Sequence, residues 1–210
     1  MLERIPRRER IDLILAWLAI AVAFTIARFN LLGGGIDPVS ALLVFLVSLL
    51  TVGVGFVLHE LAHKFTAIHF GYWAEFRKDN QMLLVAVVLA ALAGVVFAAP
   101  GATLVYGNQV SRRENGLISA SGPATSLALS LGFLGLFLVS PGTQVGVIGL
   151  AGFQINAMIA AFNMIPVSVL DGRKVLSWNI GVFAVLIAAS FALTYLALTP
   201  GALGQLSSIF

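Results

Sequence analysis

The chain has no cysteine among its 210 residues, so disulfides and thiolate chemistry are excluded and any metal must rest on nitrogen and oxygen ligands. Charge is also scarce: 10% of residues are charged, against 60% hydrophobic, and the mean hydropathy is +1.02. A soluble domain of this length needs far more polar surface, so the composition indicates a polytopic protein embedded in a lipid bilayer. The net charge of +3 comes from short clusters at the ends of apolar runs. Such clusters orient a membrane protein; they do not mark a nucleic-acid partner. Tandem repeats and low-complexity linkers are absent too, which favours one compact helical domain over residues 1–210.

What is present is a series of hydrophobic runs. Residues 11–28 form the first, retained as a span because no small-x-small cleavage site follows it. The segment 30–38, with Gly33, Gly34 and Gly35, reads as a turn leading to Pro38 and a long helix over 39–70. Residues 72–81 read as a polar interfacial loop, and 82–99 as an apolar helix broken by Pro100-Gly101. A short extended piece over 102–106 follows, then spans at 115–140, 146–165 and 180–199. Residues 166–178 separate the last two as a turn-rich break, and the final span ends at Pro200-Gly201.

The most informative stretch is His59-Glu60-Leu61-Ala62-His63, near the far end of the second helix. Residues four apart on a helix share a face, with about 6 Å between Cβ atoms. Two imidazoles so placed can hold one Zn²⁺, and Glu60 can reach a water on that metal. The bland reading is a polar turn closing the helix at the water boundary. Against it stands cost, because an apolar helix in lipid rarely carries three ionisable residues unless they face a partner, a cavity or a metal.

Catalytic zinc generally has three protein ligands. Glu3, Glu9 and Asp12 read as part of the basic N-terminal flank, and Asp37 as the cap of the second span. Glu75 and Asp79 read as members of a solvated charged loop, and Glu114 as paired with Arg112 and Arg113. His69 is rotated off the ligand face. Asp171 remains, either as a ligand or as a turn-capping aspartate.

Residues 163–172, NMIPVSVLDG, resemble the NxxPxxxLDG pattern of site-2 proteases, the intramembrane zinc metalloproteases, and HELAH resembles their HExxH motif in the same order. The resemblance covers a core of about 39–178, in a minimal form without a PDZ or CBS domain. It implies one Zn²⁺ on His59, His63 and Asp171, Glu60 as the catalytic base, and Asn163 and Pro166 at the substrate or oxyanion. Ala62 stands where the family often has glycine. Ser126 stands where its GPxxN motif, here starting at Gly122-Pro123, has asparagine, giving a shorter side chain and a weaker expected contact.

One metal requires all three ligands at one membrane depth. Arg4, Arg7, Arg8 and Arg10 place the N-terminus in the cytoplasm, so the second span brings the histidines towards that side. Asp171 then reaches the same depth if residues 82–106 enter and leave on one side as a re-entrant helix–turn–strand, though a short hairpin or one more crossing satisfies the parity equally well. The expected fold is therefore an all-α polytopic protein of five to six transmembrane helices, with a re-entrant helix and β segment near 82–106. The active site lies towards the cytoplasm, with Lys64, Arg77, Lys78, Arg112, Arg113, Arg173 and Lys174 on that side. The expected activity is hydrolysis of peptide bonds in or beside the transmembrane segments of protein substrates. A metal-ion transporter and a non-catalytic membrane scaffold are the alternatives. Only Gln154, Asn156, Thr51 and Ser130 punctuate the spans, too few for an ion route, and a scaffold gives HELAH no purpose.

Overall fold

The computed structural model describes residues 5–29, 37–94, 96, 100–107 and 109–199. The expected glycine turn at Gly33–Gly35, the break at Pro200-Gly201, and Glu3 and Arg4 lie outside the described residues. Five helices among those described are long and apolar enough to cross a membrane: α1 (Arg7–Phe29), α2 (Pro38–His69), α4 (Arg112–Val139), α5 (Gln144–Asn163) and α7 (Ile180–Leu198). A shorter apolar helix, α3 (Asn80–Ala93), lies between strands β1 (Trp73–Lys78) and β2 (Gly101–Tyr106), and α6 (Asp171–Trp178) joins α5 to α7.

Local chemistry sets the helix starts. The Asp37 carboxylate accepts from the Ser40 N–H at 2.8 Å, with Pro38 in the first turn of α2, as the sequence indicates. The Ser111 and Glu114 side chains form a reciprocal capping box at the head of α4. This corrects the expectation that Glu114 simply pairs with the preceding arginines. Within α2 the ladder widens to a π-helical turn over Leu49–Gly53. The Trp17 indole of α1 donates to the Leu49 carbonyl at 2.9 Å. A Cβ on Gly53 would lie 1.6 Å from Trp17 Nε1, so the glycine is what lets the indole approach.

Small residues let the helices pack closely, as lipid-embedded helices require. Ala16, Ala21 and Ala23 of α1 and Ala157, Ala160 and Ala161 of α5 are buried, whereas Leu42, Leu43, Leu84, Val147 and Val185 are exposed on the outer faces. The inner face of α1 packs Leu13, Ala16 and Ile20 against Val52 and Phe56 of α2 and Phe76 of β1. Helix α4 packs against α2, α5 and α6, which places its middle beside the histidines.

The segment read as a polar loop is in fact β1. Its side chains alternate, with Ala74 and Phe76 buried, and it pairs antiparallel with β2 from Trp73↔Tyr106 to Lys78↔Gly101. Alternation over so few residues was masked by Glu75, Arg77 and Lys78, and the partner strand lies far along the chain. Because Lys78 faces Gly101 and the Asp79 N–H donates to the Pro100 carbonyl at 2.9 Å, the chain leaves and rejoins the sheet at the same end. At 1.5 Å per residue α3 is about 21 Å long, short of a hydrocarbon core of about 30 Å. The expected re-entrant segment is thus a helix followed by a strand. The helix stops at Ala93 on a left-handed Gly94 (φ 65°), earlier than the apolar run implied. The turn-rich break at 166–178 is also corrected, since its second half is α6, with Val175 buried and Asp171 in its first turn.

Candidate metal centre

His59 and His63 project from α2 and Asp171 from the first turn of α6, and one ligand atom from each lies within 4.8 Å of the others. His59 Nε2 is 3.4 Å and His63 Nε2 3.1 Å from the same Asp171 Oδ2. Donors on a tetrahedral ion at about 2.05 Å would be about 3.3 Å apart, which both separations from Asp171 match, and the whole set lies within 4.8 Å, close enough to draw around one Zn²⁺. All three side chains are buried. Burial pushes the Asp171 carboxyl up, and the adjoining imidazoles more than offset this, holding it below the usual carboxylate range.

Each imidazole is held from behind. His63 Nδ1 lies 2.7 Å from the Ile118 carbonyl, which can only accept, so Nδ1 donates there and Nε2, facing Asp171, is the nitrogen placed to ligate a metal. His59 Nδ1 lies 2.9 Å from the buried Ser126 hydroxyl. Ser126, at the variant position of the GPxxN pattern, therefore contacts the histidine directly. Gly122 supplies the space in front of the rings: a Cβ there would lie 2.3 Å from His63 Nε2 and 2.6 Å from His59 Nε2. Pro123 follows it inside α4.

Glu60 is also buried and stays outside the trio, with its Oε2 accepting from the Thr103 hydroxyl of β2 at 2.8 Å. Glu60, the histidines and Asp171 line one cavity of about 380 Å³, bounded by α1, α2, β2, α4, α5 and the head of α6. Asn163 lines it as well, and its amide donates to the Ile159 carbonyl at 2.9 Å. Pro166 is exposed and is not among the residues lining the cavity.

Sequence reasoning misplaced three charges. Glu9 is fully buried within the fold, and its carboxylate pairs with the equally buried Lys64 ammonium, so neither is a flank or surface charge. Glu9 Oε1 also accepts from the Phe76 N–H at 3.0 Å. The usable signal was Lys64 itself, a cation inside an apolar span, which must find a partner. Asp12 likewise turns inward, 3.6 Å from Arg77, which also binds Glu75 at 2.7 Å. His69 is exposed and Asp79 caps α3, so neither joins the centre.

The Phe76 contact fixes the sheet's polarity. Its N–H points to Glu9 and not to β2, so Phe76↔Thr103 is a non-hydrogen-bonded pair. The backbone groups of Thr103, and by alternation those of Gly101 and Val105, therefore point to the edge of β2 that no strand pairs among the described residues. All three residues line the cavity.

No family model matches the chain, and no solved structure matches it. Among curated proteins it is 40% identical over 183 residues to "Putative zinc metalloprotease MJ0611" of Methanocaldococcus jannaschii, covering 87% of this chain and 90% of that protein. Proteins of the same description are YwhC of Bacillus subtilis, 28% identical over 147 residues (60% of this chain, 66% of the relative), and Rip2 of Mycolicibacterium smegmatis, 30% identical over 154 (65% and 58%).

Proposed function

The chain belongs to the site-2 protease family of zinc metalloproteases, and from that premise we propose that it is an intramembrane endopeptidase acting within or next to transmembrane segments of protein substrates. The observation that carries this is the meeting of His59, His63 and Asp171 beside Glu60 in a cavity bordered by a strand edge that is unpaired among the described residues. In this reading His59, His63 and Asp171 hold the zinc and Glu60 is the base. Zinc, when bound, supplies a Lewis acid and an acidified water at neutral pH.

The protein's own groups do the rest. Glu60 takes a proton at its carboxylate and returns it to the leaving nitrogen. Asn163, held by its bond to Ile159, offers its remaining amide hydrogen to the developing oxyanion or to substrate backbone. A substrate helix hides its amides in internal hydrogen bonds and must unwind before attack. The outward backbone groups of Gly101, Thr103 and Val105 can take up the unwound strand by β-addition. Pro166, exposed outside the cavity, would meet substrate only along its path inward.

The basic residues at the heads of α1 and α4, in β1 and in α6 favour a cytoplasmic N-terminus and a site towards that side, with Lys64 no longer counted among them. The deciding experiment compares wild type with Glu60→Gln on a purified transmembrane substrate, with metal analysis alongside. Glu60→Gln should keep one zinc per chain and lose cleavage. Cleavage surviving that change would refute the reading.

A further inference from the structure

We propose that Thr103 is a positioning residue for Glu60, so that the strand meeting the substrate also aims the catalytic carboxylate. The inference rests on the endopeptidase reading above. Thr103 Oγ1 lies 2.8 Å from Glu60 Oε2 and 3.1 Å from the Glu60 backbone carbonyl. Both are acceptors and the hydroxyl has one proton, which favours the charged carboxylate. No other hydrogen bond holds the Glu60 side chain among the described residues. The contact therefore selects which carboxylate oxygen is tied to β2 and leaves Oε1 without a hydrogen bond among the described residues.

Thr103 is well placed to do this because its strand cannot drift. Opposite it stands Phe76, whose N–H is fixed by Glu9, which in turn pairs with Lys64 on α2. Helix α2 and the sheet are thus joined twice, through Glu9 and Lys64 on β1 and through Thr103 and Glu60 on β2. In an antiparallel strand with this polarity, the Thr103 backbone faces an incoming chain while its side chain reaches the base. One residue sets both the depth of the substrate strand and the aim of the carboxylate.

The test uses the full chain loaded with zinc. Thr103→Val removes the hydroxyl and keeps shape and strand edge, Thr103→Ala is a second hydroxyl-free variant, and Thr103→Ser restores the donor. Loss of a hydrogen bond to a charged group predicts a fall in kcat of about 10- to 100-fold in Thr103→Val and Thr103→Ala. KM and zinc content should hold within about twofold, and Thr103→Ser should recover most of kcat. Full kcat in the hydroxyl-free variants, or a change confined to KM, would overturn the proposal while leaving the protease reading intact. A wild type that fails to cleave would instead count against that reading. The infrared carboxylate band lost in Glu60→Gln then decides the proposal without turnover. It should shift in Thr103→Val and return in Thr103→Ser, and coincident bands would overturn it.

Discussion

Replacing Glu9 is the sharpest test of how the sheet is held to the catalytic helix. Glu9 and Lys64 are each fully buried, and Glu9 accepts from both Lys64 and the Phe76 N–H. Glu9→Gln leaves the ammonium without its counter-charge, a loss of about 3–5 kcal/mol for a buried pair broken on one side. The Trp73 ring, 5.5 Å from Lys64 Nζ, is present in both forms and leaves this difference unchanged. Glu9→Ala also orphans the Phe76 amide, adding about 1–3 kcal/mol. Glu9→Gln combined with Lys64→Met should recover most of the loss, because no unpaired charge remains. Unfolding free energies in mixed detergent and SDS micelles measure each step. A cost under about 1 kcal/mol for Glu9→Gln, or strict additivity in the double variant, would show that the pair does not clamp α1 and β1 onto α2.

Two further substitutions probe the centre itself. Gly122→Ala puts a methyl 2.3 Å from His63 Nε2 and 2.6 Å from His59 Nε2, so it should abolish zinc retention, read by metal analysis after dialysis. Retention of a full complement would mean that α4 does not press on the rings. Ser126→Ala removes the hydroxyl 2.9 Å from His59 Nδ1 and should weaken zinc binding about 10- to 100-fold, as loss of a ligand's outer hydrogen bond does. Competition with a chelator measures it, and an unchanged affinity would assign the orientation of His59 to packing alone.

The parts legible in the sequence were those written locally. His59, Glu60 and His63 share a face by spacing alone, apolar runs located the five long helices, and the demand that Asp171 meet them implied the returning segment that α3 and β2 supply. The rest depended on partners far along the chain. Strand β1 looked like a loop because its outward residues are charged and its mate follows a helix. Glu9 sits among arginines at the head of α1, so nothing in its surroundings announces that it turns inward to Lys64. Thr103 carries no spacing signal at all, and its role exists only because the sheet lies across α2. Helix α6 was hidden by Gly172 and the turn-forming residues before it, although Val175 and Asp171 anchor it. The π-helical turn likewise needs Trp17 from another helix to complete it.

The meeting of Lys78 with Gly101 has a consequence for what this architecture tolerates. The two strands close on each other there, so the register of the cavity-lining strand is set by β1 as well as by helix α3, which is itself packed against α1 through the buried Ala86 and Ala90. Turns added to or removed from α3 would therefore be felt first at its seam with α1, while the paired strands keep Thr103 beside Glu60.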